Sequence, residues 1–245
     1  DFSNLEVLLY GASPISEDVL LTAKDIFKCK FIQVYGLTET CGAGTILEPE
    51  DHDPSLGRLR SCGKVAPTAE LKIVDSKGNS LGPNEVGEIT YRSKSVMKGY
   101  WKNEEATKKS ISSGWFSTGD AGYLDADGYL YIHDRIKDMI VSGGENVYPA
   151  EVENALFDHP AIGDVAVIGV PDDKWGEAVK AVVVLKPGAE ATEDEIISYS
   201  RTKIAGYKIP KSIDFTDVLP RNPTGKLLKR ELRKPYWQDK DRQIN

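Results

Sequence analysis

The sequence predicts an α/β segment, then antiparallel β structure, then a mixed α+β domain, on three observations. Residues 5–35 read as strand, helix, strand; residues 63–133 alternate short β-type runs with turn residues; from Asp138 onward helical and strand patterns interleave.

Leu5 to Tyr10 is an apolar run closed by Gly11 and predicts a buried strand. From Ser16 to Lys28, Val19, Leu20, Ala23, Ile26 and Phe27 recur at helical spacing behind a Ser16 cap. Phe31 to Tyr35 predicts a second strand, and in a parallel pair the crossover is right-handed. Loops at the carboxyl ends of such strands are where small ligands usually bind, and Gly11–Pro14 and Gly36–Glu39 fall there. Between 63 and 133, AELKIVD, SKGNS, GEITYRS, DADG and YLYIH predict hairpins, interrupted by a short helix from Asn103 to about Ser110 with Glu104 and Glu105 in its first turn. Further on, Pro149 suits a helix start, with Val152, Ala155 and Leu156 on one face. Ile162–Val170 and Ala178–Leu185 suit paired strands, and Thr192 with Glu195 is a capping box for a helix to about Thr202. The polar tail from Tyr236 is expected to fray.

The run HDRIKD places five ionisable groups in six positions, a density that reads as an exposed crossing rather than a buried strand. The domain boundary is placed there, at Asp134–Lys137, dividing the chain into 1–134 and 135–245. With 245 residues, 40% hydrophobic and 28% charged, the composition is that of an ordinary globular protein. A net charge of -7 argues against a general nucleic-acid binder. Cys29, Cys41 and Cys62 show no metal-ligand spacing and read as reduced thiols, which predicts a cytoplasmic setting. No apolar run approaches the ~18 residues of a membrane span; peripheral membrane contact and oligomeric state are left open. The start at Asp1, without methionine or signal peptide, leads us to expect a preceding or removed segment.

Five segments carry candidate chemistry, and each has a bland reading alone. In GASP, Gly11, Ala12 and Ser13 are small enough for a planar base to approach the backbone. In QVYGLTE, Tyr35 can stack on the base beside Gly36, Thr38 offers a hydroxyl to phosphate, and Glu39 is a hard oxygen ligand for magnesium. Otherwise these are two glycine turns and a solvated glutamate; their placement on consecutive strands favours a site. STGD ends in Asp120, read as lying on a tight turn, and Arg135 follows fifteen positions later. A carboxylate accepts from two vicinal hydroxyls while a guanidinium donates, which suits a ribose; a solvated turn and a surface ion pair are the alternatives. In NPTGK, Lys226 follows a turn, but the spacing is not that of a phosphate-binding loop. His52, His133 and His159 suggest neither a metal site nor a nucleophilic triad.

Together, GASP, YGLTE, STGD, DRIKDMIVSGGENVYP and NPTGK, in this order over residues 5 to about 233, resemble the carboxy-terminal half of the adenylate-forming, AMP-binding acyl-CoA synthetase superfamily, most of all its fatty-acyl-CoA ligases. GEITYRSKSVMKGYW also resembles a family signature, read here as structural. The resemblance implies the end of a large domain followed by a small mobile lid domain. It implies Lys226, Thr38 and Glu39 as catalytic residues, Glu39 as the magnesium ligand, and Gly11, Ala12, Ser13, Tyr35, Gly36, Asp120 and Arg135 as nucleotide contacts. It further implies Gly143 and Gly144 lining a pantetheine channel, and Lys137 as a hinge. ATP and AMP, Mg2+, coenzyme A and a small-molecule carboxylic acid are the implied cofactors and partners. Cys41, Gly42 and Ala43 are candidates for touching the acyl group. The family's upstream Ser/Thr/Gly-rich phosphate loop has no counterpart here, so this piece alone is expected not to turn over normally. Alternatives are an aryl-CoA ligase, an enzyme charging a carrier protein, or a non-catalytic nucleotide-binding module.

Overall fold

The computed structural model describes residues 1–12, 15–42, 44–223 and 225–238. The chain divides into two compact units, Asp1–Ile132 and His133–Asn245.

The first unit opens with β1 (Val7–Gly11), α1 (Glu17–Phe27) and β2 (Lys30–Tyr35), and β1 and β2 pair in parallel from Val7↔Lys30 to Gly11↔Val34. Ser16 caps α1 through Oγ, which accepts from Val19 N at 3.4 Å. β3 (Thr45–Leu47) and β4 (Lys64–Val65) extend the sheet antiparallel, in the order β1-β2-β3-β4. A second sheet holds β5 (Ala69–Val74), β6 (Gly87–Ser93), β7 (Ile111–Ser112), β8 (Trp115–Leu124) and β9 (Leu130–Arg135), ordered β5-β6-β8-β7 with β9 on β8. The short α2 (Glu104–Ser110) enters it, capped by Asn103 Oδ1, which accepts from Ala106 N at 3.0 Å. The division between the units falls inside β9, just ahead of Asp134–Lys137.

Leu20, Phe31 and Leu59 form the core under the first sheet, with Leu8, Tyr10 and Phe27 packed against them. The expectation of a buried first strand is corrected: Leu9 is 64% exposed and Val7 45%. Val19 and Ile26, seven residues apart on α1, are each 55% exposed. Strand side chains alternate between faces, and only one face of β1 is covered, so an apolar run yields a half-buried strand.

In the second unit, β10 (Ile140–Ser142) and β11 (Glu145–Val147) form a hairpin that leads into α3 (Pro149–Phe157). β12 (Ile162–Asp172) and β13 (Gly176–Leu185) are a long antiparallel pair, followed by α4 (Glu193–Ser200), β14 (Ser212–Phe215) parallel to β13, and α5 (Lys229–Arg233). The Thr192–Glu195 capping box is present. Both faces of β12–β13 are covered: Val165, Val167, Val179 and Ala181 pack with Val152, Leu156 and Ile196, while Ala166, Ile168 and Val182 pack with Leu219, Leu227 and Leu232.

Two expectations are corrected here. HDRIKD is not an exposed crossing: Asp134 and Asp138 keep 10% and 13% side-chain exposure, and only Lys137 of the Asp134–Asp138 stretch is exposed. Their charges are tolerated because each faces a cation, Lys229 and Arg233 respectively. Nor is the tail loose from Tyr236. The Tyr236 hydroxyl donates to Asp214, and the Trp237 indole donates to Gly169 O at 3.0 Å; residues 239–245 lie outside the described ones.

Candidate functional site

The carboxyl ends of β1 and β2 lie side by side, and both loops depend on missing side chains. A Cβ on Gly11 would stand 2.1 Å from Val34 O, and one on Gly36 only 1.5 Å from Gly42 O. Ala12 takes φ 63 and is exposed, a left-handed backbone that disfavours L side chains; this strain was not legible in the sequence. Ser13 and Ala43 lie outside the described residues. Beyond Tyr35 the chain makes a 3-10 turn, Thr38–Thr40. The buried Thr40 hydroxyl holds it, accepting from Leu37 N at 3.0 Å and lying 3.0 and 3.1 Å from the Leu37 and Gly42 carbonyls. Thr38 is left exposed and Glu39 half-buried. Cys41 and Gly42 are exposed beside that turn.

The Tyr35 hydroxyl donates to Asp120 Oδ2 at 2.8 Å, joining two motifs 85 positions apart. Burial, and then the Asp120 charge, pushes the Tyr35 hydroxyl far above its usual range, so it stays a donor. Asp120 is 6% exposed and sits inside β8 rather than on the tight turn that the sequence suggests. The β6–β8 register shifts between Glu88 and Thr90, so the glycine–aspartate step behaves as a bulge that re-aims one side chain. Thr118 fixes it: its hydroxyl donates to Ile89 O at 2.7 Å and accepts from Asp120 N at 3.1 Å. Glu88 accepts from Gly119 N at 3.2 Å, and burial first, then the Asp120 charge, raises its pKa.

Glu39 accepts a hydrogen bond from the Tyr100 hydroxyl at 2.9 Å, while Met97 N donates to Glu39 O at 2.7 Å. The MKGYW run, read from sequence as structural packing, therefore supports the glutamate directly. Tyr100 was missed because an aromatic beside a glycine reads first as core.

Arg135, Lys137, Gly143, Gly144 and Lys226 belong to the second unit. Gly143 and Gly144 have φ 62 and 87 and close a two-residue hairpin between Ser142 and Glu145, a turn that requires both in the left-handed region. A Cβ on Gly143 would meet Trp175 at 2.7 Å, and Gly143 N donates to Trp175 O at 2.8 Å. Trp175 is thus a brace for the glycine pair that sequence reading missed. Arg135 is half-buried and Lys137 exposed. Lys226 is exposed on a hairpin bridged by Arg221↔Leu227: its N–H donates to Asn222 Oδ1 at 2.8 Å, and Arg221 ties the loop to Asp164 at 2.7 Å. Thr224 lies outside the described residues.

A model of AMP-binding enzymes matches residues 1–101, and a model of the AMP-binding enzyme C-terminal domain matches residues 151–226. The chain belongs to the adenylate-forming, AMP-binding enzyme family. The chain is 42% identical over 245 residues to a fatty acid–[acyl-carrier-protein] ligase, ScoC, of Streptomyces coeruleorubidus, covering 100% of the chain and 47% of that protein. It is 42% identical over 238 residues to the long-chain-fatty-acid–CoA ligase FadD13 of Mycobacterium tuberculosis, covering 96% of the chain and 46% of the relative. The o-succinylbenzoate CoA synthetase MenE of Bacillus subtilis, solved with the acyl-adenylate OSB-AMP, superposes with TM-score 0.85 at 40% identity, over 94% of this chain and 46% of that one. The chain spans about half the length of the AMP-binding relatives it matches. Its mixed α/β fold with curled antiparallel sheets matches their carboxy-terminal part. These relatives act on different acids, so family membership leaves the acid open. Among the described residues no helix is long and apolar enough to cross a membrane.

Proposed function

We propose that the whole protein is an ATP-dependent acid–thiol ligase in which this chain supplies the nucleotide's sugar contacts and the mobile catalytic lysine. The observation that carries the reading is the Tyr35–Asp120 hydrogen bond, which brings the YGLTE and STGD motifs to one place in a family defined by AMP binding. Tyr35 beside Gly36 offers a face to adenine, with Gly11 and Ala12 on the neighbouring strand end. Asp120, already accepting from a hydroxyl, accepts equally well from ribose, and Arg135 donates to it. Thr38 reaches a phosphate oxygen.

Magnesium fits this donor set in one way. Glu39, a hard carboxylate beside the exposed Thr38, would be its protein ligand, and nucleotide and water oxygens would supply the remaining donors. The ion would neutralise phosphate charge. Lys226, a compact cation on a flexible stem, stabilises the charge that spreads over the α-phosphorus as the carboxylate attacks and pyrophosphate leaves. A turn of backbone at Lys137 then exchanges Lys226 for the Gly143–Gly144 hairpin, whose bare backbone admits a pantetheine thiol to the acyl carbon; AMP departs.

A fatty acid is the proposed acid, supported by the likeness to FadD13 and ScoC; the likeness to MenE supports an aromatic one. Coenzyme A is the proposed acceptor. The likeness to ScoC over the full chain favours one second reading, a carrier-protein thiol. ATP–pyrophosphate exchange by the full-length protein across fatty and aromatic acids tests adenylation, and product mass with coenzyme A against a carrier protein tests the acceptor. No exchange with any acid would overturn the ligase reading.

A further inference from the structure

The turn that carries Lys226 is braced from both of its flanks, by contacts that all lie within the second unit. Arg221 and Leu227 face each other across an antiparallel bridge, and Leu228 N donates to Pro220 O at 2.8 Å. Inside that frame Asn222 takes both backbone groups of Lys226: its Oδ1 accepts from Lys226 N at 2.8 Å, and its N donates to Lys226 O at 2.9 Å. Leu227 packs with Leu219 against Ala166, Ile168 and Val182. The residue after Lys226 is therefore fixed by the core.

The residue before it is fixed by charge. Gly225 takes φ 83, and a Cβ there would meet nothing within 4 Å, so the glycine serves a left-handed backbone rather than clearance. Its carbonyl accepts from Arg221 Nη1 at 2.9 Å, while Nη2 of the same guanidinium donates to Asp164 Oδ2 at 2.7 Å. Asp164 is itself oriented, because its Oδ1 accepts from Val165 N at 3.0 Å. β12 shifts register between Ile162 and Asp164. That bulge sends Ile162 and Val165 to the core under α3 and α4, and leaves Asp164 in line with Ala166 and Ile168, on the face that carries Leu219 and Leu227.

The Gly225 carbonyl and the Lys226 N–H belong to one planar peptide group. Arg221 holds one pole of that plane and Asn222 the other, so its tilt is set. A rigid guanidinium fork can span the two acceptors; a single ammonium cannot do so in fixed geometry. The Arg221 and Asp164 side chains keep 44% and 33% exposure, and ion pairs this open add little to stability. Their effect is on direction. Resting on the ligase reading above, we propose that Arg221, oriented by Asp164, is a positioning residue for Lys226: it fixes the Gly225–Lys226 peptide plane and so the direction in which the lysine stem leaves the turn.

The test uses the full-length protein with Arg221→Met, which keeps much of the stem, and Arg221→Lys, which keeps the charge without the fork. Amide hydrogen exchange across residues 221–228 reports the peptide plane without reference to catalysis. It should quicken about tenfold in Arg221→Met, with the thermal midpoint unchanged. In ATP–pyrophosphate exchange, kcat should fall about tenfold in both variants while KM for ATP stays put. In a Lys226→Ala background Arg221→Met should cost nothing further, because a group that acts through the lysine then has nothing to position. A tenfold loss in both backgrounds overturns the proposal, as does unchanged amide exchange, and full activity in Arg221→Lys overturns the need for a fork. If the wild type shows no pyrophosphate exchange with any acid, the ligase reading fails, and amide exchange alone then decides whether Arg221 holds the plane.

Discussion

β1–β2 in the first unit and β12–β13 in the second are written in similar apolar letters, yet they are built differently. The second pair is covered on both faces, by α3 and α4 on one side and by Leu219, Leu227 and Leu232 on the other. The first has α1 on one face, and Leu9 and Val7 stay exposed on the other. The difference separates two jobs. The first pair presents loops at its strand ends, where Gly11 and Gly36 let backbones nearly touch. The second is a mount, carrying the Lys226 hairpin through Asp164–Arg221 and the glycine hairpin through the Ser142↔Gly176 bridge.

The largest expected effect comes from removing the mounted group while leaving the mount intact. Lys226→Ala in the full-length protein should lower ATP–pyrophosphate exchange by about 10²–10³-fold, the range for losing a charge-stabilising contact, with the thermal midpoint unchanged and thioester formation from supplied acyl-adenylate largely retained. Equal loss in both half-reactions would remove its assigned role. Next comes the mount itself. Leu156→Ala, at a fully buried position, should cost about 2–5 kcal/mol in denaturant unfolding. Leu9→Ala on the exposed face of β1 should stay within about 0.5 kcal/mol. Similar costs at the two positions would erase the contrast between the sheets.

The sequence made the order of elements, the caps at Ser16, Asn103 and Thr192, and the β12–β13 pairing legible because each rests on local chemistry. Gly143 and Gly144 were named from the resemblance alone, and that they close a two-residue hairpin emerges only from the β10–β11 pairing. Burial on both faces was not, because alternation tells which side chains share a face but not what covers it. The buried state of Asp134 and Asp138 was hidden too: the density of charge pointed to solvent, while the cations that permit burial lie 95 positions away on α5. Tyr35 and Asp120 were each named from their motifs. Their mutual hydrogen bond depends on a bulge in β8 that only pairing with β6 reveals.

That bond gives a smaller prediction on the loop-bearing side. Tyr35→Phe keeps the ring and removes the donor to a carboxylate, so AMP binding measured by calorimetry should weaken by roughly tenfold, equivalent to about 1.5 kcal/mol. Unaltered affinity would mean that Asp120 is oriented without the hydroxyl.

The smallest effect tests how dry the junction beneath that tyrosine is, and leaves neutral-pH stability untouched. Cys62 packs with Ile73, Ile89 and Leu130, with Tyr35 against the same cluster, and burial pushes its thiol up to about 11 from an ordinary 9.0. A raised folded-state pKa means that the folded form disfavours the thiolate. Stability from this group is therefore full below about pH 9 and is lost as pH rises through about 11. Alkylation at pH 8 should accordingly label Cys41, which is exposed, and spare Cys62, with Cys62 labelling appearing only as pH nears 11. Prompt Cys62 labelling at pH 8 would show that water enters between the two sheets of the first unit, and the one-sided cover of β1–β2 would then extend to the strands that hold Tyr35 and Asp120.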